Sequence, residues 1–249
     1  MNALAAGSID LAIADPPYGA AGNSAVALSG EHELPGFGGA WKLHGSEWDR
    51  LLGVDSLRFT LTWLSSLARL VNERGSIFIH ATYHNAGIVN VACQALGLEI
   101  INEIVWYKRN AFPNLSRRRL TASHETILWV HTGGAKRRRY RFHYDALKAA
   151  DFPGDALKEP NRQLRTVWDI PNNKSPKELR HGRHPTQKPE RLIDRLLMMA
   201  GLPGGRFLSP FAGSGSELAV AIRHGMQAIG FEIDPAYYAL AHRRLAAIL

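Results

Sequence analysis

A strand, a glycine-bearing loop, a helix and a second strand follow one another near the end of the chain, and that order constrains it to an α/β sheet. Arg206-Phe207-Leu208 reads as a short strand, Ser209–Ser216 as the loop, Glu217–His224 as the helix and Gln227–Phe231 as the next strand. Within the loop, Phe211-Ala212-Gly213-Ser214-Gly215 lets backbone approach a ligand closely, because glycine carries no Cβ. Glu232 follows the second strand; in dinucleotide-binding folds an acid roughly 20 residues past the loop binds ribose hydroxyls. The usual third glycine is missing, which argues against a pyrophosphate-bearing nicotinamide cofactor and for a nucleoside without phosphates. Gly-x-Gly alone is equally a tight turn. The strand–helix context and the following acid raise it above that.

A second constraint lies at the other end, in Asp15-Pro16-Pro17-Tyr18. It follows an apolar run, Ile9-Asp10-Leu11-Ala12-Ile13-Ala14, that reads as a buried strand. A carboxylate, two ring-locked residues and an aromatic therefore stand where a strand meets a loop, the position at which open α/β sheets bind ligands. The prolines fix φ and remove two backbone donors, leaving carbonyl acceptors on a stiff loop. An acidic acceptor, a rigid carbonyl and a flat ring suit a planar group with an exocyclic amine, such as a nucleobase. A third motif, His184-Pro185-Thr186-Gln187-Lys188-Pro189, precedes a helix. Thr186 can donate a hydrogen bond and Lys188 supplies a point cation, both suited to a free carboxylate. Taken alone it is an ordinary helix start with a solvated lysine.

Between these motifs the pattern predicts a helix from about Asp55, as N-cap, to Val71, with Leu57, Leu61, Leu64, Leu67 and Leu70 on one face. It predicts a strand over Ser76–His80, a helix from Asn85 to Leu96, and strands over Glu99–Tyr107 and Glu125–His131. Helices are expected again from Pro189 to Ala200 and from Pro235 to Ile248. Residues 1–132 then read as one half of a domain and 183–249 as the other. Residues 133–182, broken by prolines at 153, 160, 171 and 176, read as a separate, irregular insert. The glycine-rich stretch Gly19–Gly45 is expected to be a lid.

The chain has 249 residues, 45% of them hydrophobic, which is enough for one sizeable α/β domain. A net charge of +8 points to a polyanionic partner, nucleic acid first, although charge alone also fits a merely basic protein. The single cysteine, Cys93, excludes an intramolecular disulfide and a cysteine-rich zinc site, and its helical setting predicts a core thiol. His80, His84, His124, His181 and His184 form no helical i, i+4 pair backed by an acid, so no metal is expected. No apolar stretch approaches the ~20 residues of a membrane span, and the N-terminus lacks a secretion pattern, which makes a cytoplasmic protein the default.

Asp15-Pro16-Pro17-Tyr18, His184-Pro185-Thr186-Gln187-Lys188-Pro189 and Phe211-Ala212-Gly213-Ser214-Gly215, in that order, resemble the β-group of DNA amino-methyltransferases. These enzymes move a methyl group from S-adenosylmethionine to adenine N6 or cytosine N4. Weaker likenesses lie at Trp48-Asp49, Trp106-Tyr107-Lys108 and Ser123-His124-Glu125-Thr126-Ile127-Leu128, so the resemblance covers nearly the whole chain except parts of the insert. It implies a Rossmann-like class I methyltransferase sheet with helices on both faces. It also implies circular permutation, because the methyl-acceptor motif precedes the cofactor loop, and an irregular inserted target-recognition region. Double-stranded DNA is the implied partner, restriction-modification the implied setting, and a homodimer is compatible with it.

By the same resemblance, Asp15 and the Pro16 carbonyl accept hydrogen bonds from the target amine, Pro17 stiffens the loop, and Tyr18 stacks on a base flipped from the duplex. Ser209, Phe211, Gly213, Ser214 and Gly215 line the cofactor beside Asp15. Glu232 takes its ribose hydroxyls, and Thr186 and Lys188 its methionine carboxylate. Arg117, Arg118, Arg119, Lys136, Arg137, Arg138, Arg139 and Arg141 are the implied phosphate contacts, with target recognition in residues 133–182 helped by the 109–120 loop. Asp at the first motif position favours adenine, since N4-cytosine enzymes usually have Ser there. The alternatives are an N4-cytosine enzyme and a DNA-binding protein that keeps the scaffold without catalysis. Two departures bear on the cofactor. Ser209 stands where the family commonly has Asp, and Ser216-Glu217 where Thr-Thr is usual. Relatives also carry a strand and a Gly-Asp pair ahead of the acceptor motif, which the sequence from Met1 does not include. Weak or absent cofactor binding is therefore expected unless another segment substitutes.

Overall fold

The computed structural model describes residues 1–19, 52–114, 118–133 and 139–248. The expected lid beyond Gly19, Trp48-Asp49, Arg117, Lys136, Arg137 and Arg138 lie outside the described residues. The described strands are β1 (Ile9–Ala14), β2 (Val71–Ala81), β3 (Glu99–Tyr107), β4 (His124–His131), β5 (Val167–Asp169), β6 (Arg206–Ser209) and β7 (Gln227–Gly230). They form one sheet in the order β5-β3-β4-β2-β1-β6-β7. Only β4 runs against the rest; it pairs antiparallel with β2 and β3, while β1 pairs parallel with β2 and β6. The helices are α1 (Gly53–Leu70), α2 (Ala86–Ala95), α3 (Tyr144–Ala149), α4 (Pro176–Leu179), α5 (Glu190–Ala200), α6 (Ser216–Arg223) and α7 (Pro235–Ala246).

Strand β1 sits in the middle and is apolar on both sides, as expected of a parallel strand covered on both faces. Leu11 and Ile13 join a core with Phe78, Phe207 and the inner residues of α5 and α6. Ala12 and Ala14 face the opposite core with Ile77, Ile79, Leu208 and the buried residues of α1 and α2. A register irregularity lies between Ile9 and Leu11, so Ile9 falls on the Ala12 side. Cys93 lies fully buried in this second core, and burial pushes its thiol up to about 12. No described helix is long and apolar enough to cross a membrane.

Two expectations change. Helix α1 starts at Gly53 with Leu52 as its N-cap, so Asp55 is a first-turn residue paired with Arg58 rather than the cap. Its buried face runs through Ser56, Thr60, Trp63, Leu64, Leu67 and Leu70. Leu57 and Leu61 rotate outward and line a surface groove with Leu96. The small Ser56 and Thr60, with the Thr60 hydroxyl donating to the Ser56 carbonyl, let that turn lie against the sheet. The stretch from 139 to 182 is irregular but not separate. Within it β5 extends the sheet beside β3, Trp168 and Leu147 enter the first core, and the Trp106 indole donates to the Ile170 carbonyl.

Candidate active site

Because the strands other than β4 are parallel, their carboxyl ends share one edge of the sheet. Asp15 follows β1 there, Phe211–Gly215 follows β6 and Glu232 follows β7. His80 and Ala81 close β2, and Glu125 sits at the start of β4, facing Trp106 at the end of β3. The loop before α5 brings Thr186 and Lys188 to the same edge, so the three motifs read from sequence line one cavity of about 610 Å3. A cleft of that size is in the range of small-molecule sites.

Lys188 organises the cavity floor. Its Nζ donates to Asp15 Oδ2 at 2.7 Å, to the Tyr18 hydroxyl at 2.8 Å and to its neighbour Thr186's carbonyl at 3.1 Å. The Tyr18 hydroxyl in turn donates to Asp15 Oδ1. Glu125 Oε2 lies 3.7 Å from Lys188 Nζ, and Glu125 Oε1 accepts from Lys108 at 2.9 Å. Burial alone would push the Asp15 carboxyl up. The ammonium of Lys188, with His80 and the hydrogen bonds from Lys188 and Tyr18, overrides that and holds it below its usual range. Glu125 is likewise held low against burial by Lys188 and Lys108. Tyr18 is driven well above its ordinary value by burial and by Asp15 and Glu125, so it stays a hydroxyl donor. His80 is pushed down to about 4 by burial and then by Lys188, and neither ring nitrogen has a hydrogen-bond partner among the described residues. The floor thus presents an anionic Asp15 held by a fixed cation, with the neutral, fully buried imidazole of His80 close behind it in β2.

This geometry bears on two of the expected roles. Lys188, expected to meet the methionine carboxylate, donates instead to Asp15 and Tyr18 here. Tyr18 is turned inward, with Lys188 Nζ 5.3 Å from its ring centroid, so that one ring face is already occupied.

The upper wall is the β6–α6 loop. Gly213 and Gly215 have positive φ, 49° and 72°. A Cβ on Gly215 would lie 2.8 Å from the Ala241 Cβ, so the loop folds back against α7 only with glycine there. Arg244 of α7 clamps the loop: its Nε donates to the Ser214 carbonyl at 2.9 Å, while its Nη2 reaches the Glu178 carbonyl and Gln187 Oε1. Glu232 accepts the Gly213 N–H at 2.7 Å and the Asp234 N–H at 2.8 Å, which fixes its carboxylate at the cavity rim. Phe211 lies edge-on to Trp63 at 5.4 Å and forms an apolar wall. Thr186 lines the mouth beside His184. Pro16, Pro17 and Pro210 also line the cavity. Ser209 is fully buried, and its hydroxyl donates to Glu217 Oε2 at 2.6 Å. Apolar walls, a carboxylate at the rim and further acids at the floor suit a nucleoside with a cationic tail.

The expected phosphate contacts divide between two edges. Arg118 and Arg119 stand on the β3–β4 connection at the cavity edge, where Arg119 donates to the exposed Tyr83 hydroxyl. Arg139 pairs with Glu73, and Arg141 lies 3.8 Å from Asp10, beside the amino end of β1. Arg141 N–H also donates to the Arg74 carbonyl. Both therefore lie at the far edge of the sheet and are removed from the set facing the cavity. Reading the sequence alone missed Glu125, His80, Glu217 and Arg244. Glu217 left a signal as a departure from the usual Thr-Thr, and Glu125 as part of a weaker likeness; His80 was weighed only as a metal ligand, and Arg244 is an ordinary helix residue until the fold brings it to the loop.

The sequence profile of the N6/N4 DNA methylase family matches residues 9–243. The chain is 32% identical over 241 residues to the type II methyltransferase M2.DpnII of Streptococcus pneumoniae, covering 96% of this chain and 83% of that protein. Among solved structures it superposes on the cytosine-N4-specific PvuII DNA methyltransferase with a TM-score of 0.68 at 18% identity, covering 98% of this chain and 81% of that one. The M1.HpyAVI–SAM complex matches with a TM-score of 0.63 at 22% identity, covering 98% and 90%. These two likenesses establish the fold, a class I methyltransferase sheet with helices on both faces. Sequence, fold and cavity agree: the chain belongs to the N6/N4 DNA methylases.

Proposed function

We propose that the chain is an adenine-N6 DNA methyltransferase working within a type II restriction-modification pair; its pneumococcal relative is named a type II methyltransferase. Its cofactor is S-adenosylmethionine, which supplies an electrophilic methyl group on a good leaving group. The observation that carries the reading is Asp15, held as an anion by Lys188 and Tyr18 on the floor of a cavity whose opposite wall is the glycine loop. In this reading Phe211, Gly213, Ser214 and Gly215 face the cofactor and Glu232 holds its ribose hydroxyls.

A target base must leave the duplex before its amine can reach the cavity floor. Asp15 still has lone pairs for that amine, since a carboxylate offers about four acceptor sites and Lys188 and Tyr18 use two. Accepting from the amine orients the nitrogen lone pair toward the methyl group. With S-adenosylmethionine bound, the amine would take its methyl group as the thioether leaves, and the Asp15 carboxylate would accept the proton that the methylated amine gives up. Catalysis is by positioning and fixed charge, with no covalent enzyme intermediate. Asp at the first position of the acceptor motif, rather than Ser, supports adenine over cytosine. The DNA-facing surface in this reading is the cavity edge: the β3–β4 connection, the turn after β2 and the segment after β5.

Mass analysis of nucleosides from DNA incubated with the purified chain and labelled cofactor tests this. N6-methyladenine is expected, and none with Asp15→Ala. N4-methylcytosine would overturn the base assignment, and DNA binding without methyl transfer would favour a scaffold that has lost catalysis.

A further inference from the structure

Glu217 is the acid of this cavity that the mechanism leaves unused. It opens α6, lines the cavity and is 4% exposed. The other acids are matched. Asp15 has Lys188, Glu125 has Lys108 and Lys188, and Glu232 accepts two backbone N–H groups. Glu217 forms no ion pair among the described residues; its one described hydrogen bond comes from the Ser209 hydroxyl to Oε2. Ser209 is the position where the resemblance leads one to expect an acid. A carboxylate thus returns to that end of β6 from the neighbouring helix.

We propose that Glu217 binds the α-ammonium group of the methionine portion of S-adenosylmethionine, supplying from α6 the negative charge that Ser209 lacks. This rests on the cofactor reading above. The choice of group follows from hydrogen-bonding chemistry. An ammonium has three N–H donors and matches a carboxylate with one oxygen already held by a hydroxyl, whereas a sulfonium has no donor. Burial, and then the charge of Asp15, push the Glu217 carboxyl up to about 8, with Ser209 and Lys188 pulling the other way. Tyr18, Tyr237, His184 and Glu232 complete the ionisable groups lining the cavity. A buried acid in this state keeps its proton at neutral pH and loses it when a cation arrives.

Proton linkage provides the test. At pH 6.5 the cofactor's free amino group is already an ammonium, since α-amino groups titrate near 7.7–8.0. Calorimetry of S-adenosylmethionine binding at pH 6.5, in buffers of different ionisation enthalpy, should show release of about one proton from the wild-type chain. 5′-Methylthioadenosine, which lacks the amino acid, should release none. Glu217→Gln should abolish the release and weaken S-adenosylmethionine binding at pH 8 by roughly tenfold or more, while binding 5′-methylthioadenosine as wild type does. The double variant Ser209→Asp/Glu217→Gln should recover tight S-adenosylmethionine binding. Should Glu217→Gln not fold, the wild-type comparison of the two ligands decides by itself. Cofactor binding without proton release, or equal affinity in wild type and Glu217→Gln, overturns this inference and leaves the cofactor reading standing. A wild-type chain that binds neither ligand overturns both.

Discussion

At Asp15 the ammonium of Lys188 does most to hold the carboxylate as an anion. Asp15 is part-buried, and without Lys188 burial would push its carboxyl up, toward the protonated form. Lys188→Met is therefore expected to lower kcat on the order of 100-fold at neutral pH, in the range of losing one acid–base function. The sign is definite. In the proposed mechanism the rate depends on anionic Asp15, so its acid limb lies at low pH in wild type and moves to higher pH in the variant. A pH–rate profile whose acid limb stays in place would show that Lys188 does not set the charge of Asp15. Asp15 and the glycine loop were legible as single motifs, because prolines and glycines leave local marks. The partner of Asp15 was not, because Lys188 lies 173 positions away and its own motif reads as a helix start. For the same reason Ser209 read as a lost charge, and only the packing of α6 against β6 shows where the charge went.

Among elements, period and punctuation located most strands and helices, since each depends on the order of neighbouring residues. The orientation of α1 did not follow from its leucines: five leucines mark a stripe, but Ser56, Thr60 and Trp63 decide which side fits the sheet. The segment from 139 to 182 read as separate because its prolines interrupt every long pattern. Its attachment depends on residues far apart in the chain. Asp155 accepts from Arg195 of α5 at 2.5 Å, with both side chains almost wholly buried, and the Arg195 guanidinium lies 4.0 Å from the Phe152 ring centroid and 5.0 Å from that of Trp168. Removing one partner leaves an uncompensated buried charge. Asp155→Ala is expected to cost about 3–5 kcal/mol in urea unfolding, and the double change Asp155→Ala/Arg195→Met less than Asp155→Ala alone. A loss under 1 kcal/mol for Asp155→Ala would mean that this segment is not part of the cooperative core.

For the whole molecule, the net charge of +8 was an early sign of a polyanionic partner, but charge counts carry no direction. The fold separates the basic residues by sheet edge. Arg118→Ala/Arg119→Ala is expected to weaken DNA binding and to reduce the steepness of its salt dependence by about 0.9 for each phosphate no longer neutralised. Arg139→Ala should leave that slope unchanged, because Arg139 pairs with Glu73 at the opposite edge. Fluorescence anisotropy across a salt series measures both, and equal effects of the two changes would refute the division. The sequence by itself determined the α/β class, the core of β1, and the placing of the Asp15 loop and the glycine loop at strand ends, because those depend on short-range periodicity and on the backbone limits of proline and glycine. Tertiary structure alone decided which charges meet. Lys188 on Asp15, Ser209 on Glu217, Arg244 on the glycine loop and Arg141 beside Asp10 are set by which strands lie side by side and which helices cover them, and no local pattern in the chain encodes those distances.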